Sequence, residues 1–267
     1  MRIHELPTPD DSHKPENVTP DDCHLTYCMN VHPAGTLNQL IGAVEDHAAK
    51  VMHIVAAETG ITGPFGLGMW LSDELSRELE CDESFRRLTD CLAKNNLYVF
   101  TLNGFPFGVF HGVRVKENVY RPDWSTRERL EYTRRIAKFL ARLLPEGTPG
   151  TISTLPVTYR SWADPSLIES ASANLRSIAV HLDELHKSTG VKIRLALEPE
   201  PDCLLDETPD TIAFFKKHLH TGPDEIICRE YLGVCLDTTH CGVLGEKPID
   251  ALRAFHAADI AVLKIQI

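Results

Sequence analysis

The sequence predicts an α/β fold in which an all-parallel sheet curls toward a (β/α)8 barrel, with the eighth strand missing. Three observations carry that expectation. Short apolar runs alternate regularly with longer amphipathic ones, and two of the short runs share the same inside–outside parity. The length, 267 residues, is close to the roughly 250 typical of such barrels. An open doubly wound sheet would carry a glycine-rich phosphate turn after its first strand, where "NVHPAG" stands instead.

Residues 1–22 are polar, acidic and proline-rich, and read as an extension ahead of a single domain over 23–267. Strand-like runs follow at 24–32, 65–72, 96–104, 150–158, 192–200, 231–240 and 262–267. Parallel neighbours need long crossovers, and the intervening stretches supply them as helices. "TRERLEYTRRIAKFLARLL" sets Leu130, Ile136, Leu140 and Leu144 near one face with charges opposite. "SLIESASANLRSIAVHLDELHKSTG" closes on Gly190, a helix stop. "TPDTIAFFKKHLHTG" opens with Thr208 as the cap and Pro209 at the first helical position.

Parity then separates two faces. In "KIRLALEPE", Ile193, Leu195 and Leu197 lie opposite Ala196, Glu198 and Glu200; in "LGVCLDTTH", Leu232, Val234 and Leu236 lie opposite Gly233, Cys235 and Asp237. Large aliphatics suit the helix-facing side. Small residues ending in a carboxylate suit the barrel interior and its C-terminal mouth, where barrel sites are built. The chain stops inside the seventh run, at "KIQI", so the barrel is expected to be C-terminally incomplete, a fragment of a longer chain. Exposed edges and the apolar, β-branched "VLKIQI" predict a short form that is less stable and more prone to associate than one carrying the eighth strand.

Composition narrows the partners. A net charge of −11, from 38 acidic and 27 basic residues, disfavours nucleic acid and anionic lipid surfaces. No apolar run approaches the roughly 20 residues that span a bilayer, and the N-terminus has no signal-like apolar core. Neither membrane insertion nor secretion is expected. Eight cysteines without a CxxC pair predict free thiols in a reducing cytoplasm.

Chemistry concentrates in "LALEPEPDCLL" and "GVCLDTTHCG". A carboxylate at the end of a buried strand is costly to desolvate unless its charge is offset. Glu198 and Asp237 end consecutive strands, and paired carboxylates there begin a site for a divalent cation such as Mg²⁺, Mn²⁺ or Zn²⁺. His240, three residues on, is placed in the following loop as a substrate contact or proton shuttle. The plainer alternative is a strand-end acid that caps the next helix or faces water.

These two phrases resemble the xylose isomerase-like superfamily of sugar phosphate isomerase/epimerase TIM barrels. The resemblance implies that Glu198 is the first metal ligand, Asp237 the second, and His240 a substrate contact. The family's seventh-strand histidine falls on Gln266, a weaker, neutral donor, and its eighth-strand glutamate lies beyond the last residue. Weak metal binding follows. "LTYCMNVHP", "FGLGMWLS" and "LNGFPFGVFHG" are further similar to metabolite-traffic proteins of the Ebo type, which are associated with moving or processing secondary-metabolite precursors.

By parity Glu198, Asp237 and Gln266 are expected to converge at one mouth, with Glu200 a candidate base. Asn30, His32 and Asn103 are candidates for recognising hydroxyls and carbonyls, though asparagines also serve as plain turn residues. Lys264 shares parity with Gln266 and would help neutralise the carboxylates or hold substrate. Trp70 reads as core or as a stacking wall, and His111 as part of a loop over the mouth.

The leading reading is a divergent sugar isomerase/epimerase-like barrel for a small polar metabolite, of the metabolite-traffic type. If it is catalytic, the reaction is metal-assisted proton transfer next to a carbonyl. A second reading is a non-catalytic carrier or scaffold that has lost its metal. A third, a metal-dependent phosphodiesterase or endonuclease, is opposed by the acidic charge and the few site histidines.

Overall fold

The structure is a computed structural model that describes residues 24–60, 63–108 and 116–267. The N-terminal extension and His111 lie outside these residues. Seven parallel strands form one sheet in the order of the chain: β1 Thr26–Cys28, β2 Phe65–Trp70, β3 Leu97–Asn103, β4 Gly150–Thr154, β5 Ile193–Leu197, β6 Leu232–Asp237 and β7 Val262–Gln266. The helices α1 Leu37–Ala43 and α2 Ala49–Thr59 cross from β1 to β2; α3 Asp73–Glu78 and α4 Asp82–Lys94 cross from β2 to β3. The helices α5 Arg127–Leu143 and α6 Pro165–Thr189 connect β3 to β4 and β4 to β5. Beyond β5 come α7 Thr208–Phe214 and α8 Glu225–Tyr231, then α9 Thr238–Leu244 and α10 Pro248–Ala257 after β6. Among the described residues the strands and helices match a TIM barrel with one strand missing.

The sheet curls on itself. Lys264 of β7 donates to Ser153 Oγ of β4 at 3.2 Å, a chord across the interior. Among the described residues, no strand pairs with the outer edge of β1 or of β7.

Local signals place the long helices. The Asp164 carboxylate caps α6 by accepting from the amides of Ser166 and Leu167, Pro165 follows at the first position, and Gly190 ends the helix in the left-handed region at φ 74°. A side chain would be strained there. Thr126 caps α5, whose Leu130, Ile136 and Leu140 are buried as the periodicity predicts, while Leu144 is the C-terminal cap and only half-buried. The α7 cap differs from expectation. Glu207 holds that place and Thr208 is already helical, because the Thr208 amide and hydroxyl donate instead to the Glu246 carboxylate, at 3.0 and 2.9 Å.

Several strand-like runs are shorter than their apolar character suggests. The first gives way after Cys28 to a 3₁₀ turn over Met29–Val31, and the sixth passes at Thr238 directly into α9. His240 therefore lies in a helix rather than in a loop. Trp70 is core, its indole N–H donating to the Pro106 carbonyl at 3.0 Å. The cysteines at 28, 81, 91, 203, 228, 235 and 241 are free thiols. Among the described residues, no helix is long and apolar enough to cross a membrane.

Gly233 fixes how closely β6 and β7 approach. A Cβ there would stand 2.4 Å from the Ala261 carbonyl oxygen and 2.7 Å from Leu263 Cγ. Backbone cannot yield as a flexible side chain can, so Gly233→Ala is expected to lower the unfolding free energy by roughly 2 kcal/mol. An unchanged urea midpoint would contradict this account of the β6–β7 contact.

Candidate functional site

The interior face of the sheet opens at the C-terminal strand ends into a cavity of about 750 Å³. Small inward residues, among them Thr26, Gly68 and Thr101, leave the space. Glu198, Glu200, Asp237, His240, Lys264 and Gln266 supply the polar wall.

Strand pairing sets the geometry. Asp237 and Gln266 are register partners, as are Cys235 and Lys264 one step deeper. Leu197 pairs with Val234, so continuing that register puts Glu198 level with Cys235. Glu198, Asp237 and His240 each offer a ligand atom, and the three atoms lie within 4.8 Å of one another. The three residues expected at one mouth, Glu198, Asp237 and Gln266, are brought together.

Each carboxylate is held differently. Asp237 caps α9: its Oδ1 accepts from the amides of Thr239, at 2.7 Å, and His240, at 3.3 Å. The capping role weighed as the plainer alternative is thus present, yet Oδ2 still faces the cavity and accepts from Gln266 Nε2 at 3.4 Å. Glu198 is 6% exposed and takes a 2.5 Å bond from the same Nε2 on Oε1, while its Oε2 is buried without a hydrogen-bond partner. Burial pushes the Glu198 carboxyl above its ordinary value, against the pull of Lys264 and His240. Glu200 is likewise pushed up by burial, to about 7, with the charge of Glu198 adding to the shift and His240 and the nearby Tyr120 hydroxyl opposing it. Its Oε2 is also buried and unpartnered. The imidazole of His240 meets the Pro199 carbonyl through Nδ1 at 2.9 Å. A carbonyl only accepts, so Nδ1 donates there and Nε2 is the ring nitrogen left for another partner.

The other predicted residues divide. Asn30 lines the cavity from the turn after β1, where its Oδ1 accepts from the Cys28 thiol. Asn103 also lines it, and its Oδ1 accepts from the Phe105 amide at 3.0 Å, a local turn bond. Lys264 lies within the cavity wall, against Ser153. His32 is not among the lining residues: its Nε2 meets the Tyr27 hydroxyl at 2.7 Å and its ring stacks on His47 at 4.0 Å. The 3₁₀ turn breaks the twofold alternation on which its placement rested.

Two neighbours of Glu200 have no counterpart among the residues that the sequence pattern predicts. Tyr120 packs face to face with Tyr159 near Glu200, and Cys203 lies buried close by, its thiol pushed up by that burial. Tyr120 comes from a short turn, Lys116–Tyr120, whose sequence has no period to read. Cys235 abuts Glu198 and shares parity with Asp237, so the alternation that found the acid also marks this thiol.

No protein-family model and no curated protein matches the chain. Solved structures do. A xylose isomerase-like TIM barrel protein from Mycobacterium smegmatis, in complex with magnesium, aligns with a TM-score of 0.52 at 12% identity over 83% of this chain. This chain spans 64% of that protein's length. At such identity the likeness shows a shared fold. An IOLI protein with a bound zinc atom aligns at 14% identity and a TM-score of 0.49, over 89% of this chain and 70% of that one. A xylose isomerase domain protein from Alicyclobacillus acidocaldarius subsp. acidocaldarius aligns at 16% and 0.46, over 80% and 66%.

A raised carboxyl makes stability depend on pH. With a folded value of about 7 against an ordinary 4.5, Glu200 binds its proton more tightly in the folded chain. Its contribution favours folding below about pH 4.5 and is lost as pH rises through 7. In the presence of a chelator, Glu200→Gln should therefore melt higher than the wild type at pH 8, by an amount on the order of 2 kcal/mol after allowance for partial exposure. The two proteins should converge near pH 4. Parallel melting curves across that range would contradict the assignment.

Proposed function

We propose that this barrel binds a small, hydroxyl- and carbonyl-bearing metabolite on a divalent cation and moves a proton next to the carbonyl, as a divergent sugar isomerase/epimerase-like protein. One observation carries the reading. Three ligand atoms of Glu198, Asp237 and His240 converge within 4.8 Å, with a buried, unpartnered Glu198 oxygen among them, beside a cavity sized for a small metabolite. The donor chemistry fits such an ion: two carboxylates, an imidazole nitrogen of His240, and the Gln266 amide as a neutral fourth donor. The magnesium of the Mycobacterium smegmatis protein supports an oxygen-preferring ion of the Mg²⁺ or Mn²⁺ kind.

A bound ion would polarise the carbonyl and neighbouring hydroxyl oxygens of the metabolite. The chain does the rest. Glu200, with a carboxyl near neutrality, takes the proton from the carbon beside the carbonyl and returns it. The Tyr120 hydroxyl lies close enough to favour the ionised form of that carboxyl. Asn30, Asn103 and Lys264 orient substrate oxygens along the wall, and His240 is fixed by Pro199 with Nε2 toward the centre. The narrower role we infer is metabolite traffic, the handling of secondary-metabolite precursors in the cytoplasm, where the free thiols of the interior stay reduced.

A non-catalytic carrier is the second reading, and Gln266 favours it: its amide nitrogen bridges Glu198 and Asp237, and with Lys264 it offsets their charge without an ion. Exchange separates the two. Protein loaded with Mn²⁺ and incubated with a panel of aldoses and ketoses in deuterated water should introduce deuterium beside the carbonyl, read by NMR. Glu198→Gln should lose the metal, and Glu200→Gln should slow exchange on the order of 100-fold while keeping it. A sugar that binds without exchange identifies a carrier.

A further inference from the structure

The position of Gln266 allows a deeper reading of the same centre, resting on the metal assignment above. Its side chain ends in one group that donates and one that accepts, of nearly the same shape. Nε2 is the end that faces the acids, at 2.5 Å from Glu198 Oε1 and 3.4 Å from Asp237 Oδ2. It stands between two carboxylates that come from different strands and have few other means of tolerating each other. Asp237 has two backbone amides on its other oxygen, but Glu198 Oε2 has no hydrogen-bond partner. Lys264 adds one positive charge nearby, committed by a hydrogen bond to Ser153.

An amide N–H₂ in that place does what a cation does, holding two anionic groups at short range. It is incompatible with a cation in the same place, because both of its protons would face the ion. Turning the amide over about its last torsion exchanges donor for acceptor and leaves the rest of the chain where it is. Gln266 is at the end of β7, in register with Asp237, so the carbonyl oxygen would then face the ion from the same side.

We infer that Gln266 is a two-state residue of this centre: its amide nitrogen bridges Glu198 and Asp237 when no metal is bound, and the amide reverses on metal entry to present its oxygen as a ligand. Glutamine thereby combines two functions that neither an acid nor an apolar residue can. A third carboxylate would ligate but not bridge; a leucine would do neither.

Melting and metal titration of the wild type, Gln266→Leu and Gln266→Glu test this without any assay of turnover. In chelator, both variants should melt several degrees below the wild type, because the bridge is gone. In Mn²⁺ titrations followed by calorimetry, Gln266→Leu should bind on the order of 10-fold more weakly. Gln266→Glu should bind more tightly than the wild type, and Mn²⁺ should raise its melting temperature by more. Unchanged melting of both variants in chelator would overturn the bridge. Tighter Mn²⁺ binding by Gln266→Leu would overturn the reversal, showing an amide that only blocks the site. A wild type that takes up no Mn²⁺ would sink the metal reading and the reversal with it, and melting in chelator would then decide the bridge alone. Where Gln266→Leu fails to fold, Gln266→Met, which keeps the length and loses both ends of the amide, takes its place in both measurements with the same outcomes.

Discussion

Negative charge held at the ends of adjacent parallel strands is the constraint on which this site depends. A parallel sheet points its successive C-terminal ends in one direction, so acids ending β5 and β6 cannot avoid each other. Water does not solve the problem for Glu198, which is almost fully buried. The chain meets the charge with three fixed groups: the Gln266 amide, the Lys264 ammonium, and the amides at the start of α9. What they leave unmet is visible as the unpartnered oxygens of Glu198 and Glu200 and the raised carboxyls of both residues. Such residual frustration is costly in a folded chain, and it is where a ligand gains most by binding.

The remainder of the fold positions these groups. Gly233 lets the start of β6 lie close against Ala261 and Leu263, the register of β6 with β7 pairs Asp237 with Gln266, and the pairing of β5 with β6 brings Glu198 beside β6. The Lys264–Ser153 chord shows how strongly the sheet curls to bring β7 near β4. Helix α9 begins immediately after the residue that ends β6, so Asp237 serves both as strand terminus and as helix cap. That dual use fixes one of its oxygens toward backbone and leaves the other for chemistry.

How much of this is legible in the sequence follows from which periods persist. The twofold alternation holds from Ala196 to Glu198, from Cys235 to Asp237 and from Lys264 to Gln266, past the register shift opposite Val234 and Cys235, so counting alone assigns Glu198, Asp237, Lys264 and Gln266 to one face. The same counting fails at His32, because a 3₁₀ turn intervenes after Cys28 and carries the imidazole against Tyr27 and His47. It also fails for the start of α7, where a distant glutamate, Glu246, takes the Thr208 hydroxyl that a local reading assigns to the helix end. Tyr120 is beyond reach for a different reason: it enters the site through tertiary packing from an irregular segment, and no spacing announces such a contact.

The asparagines show the limit in another form. Asn103 bonds its own turn through Oδ1 and lines the cavity as well, so the local and the functional descriptions are not alternatives there. The same holds for Asp237, a helix cap whose second oxygen faces the centre. A side chain with two polar atoms can use one to secure the backbone and offer the other to a ligand, and the first bond makes the second atom's position reliable. His240 follows this pattern with its two ring nitrogens, one on the Pro199 carbonyl and one toward the acids. In this barrel the plain structural roles are therefore what make the functional ones possible, since each anchoring bond aims the remaining atom at the same small volume.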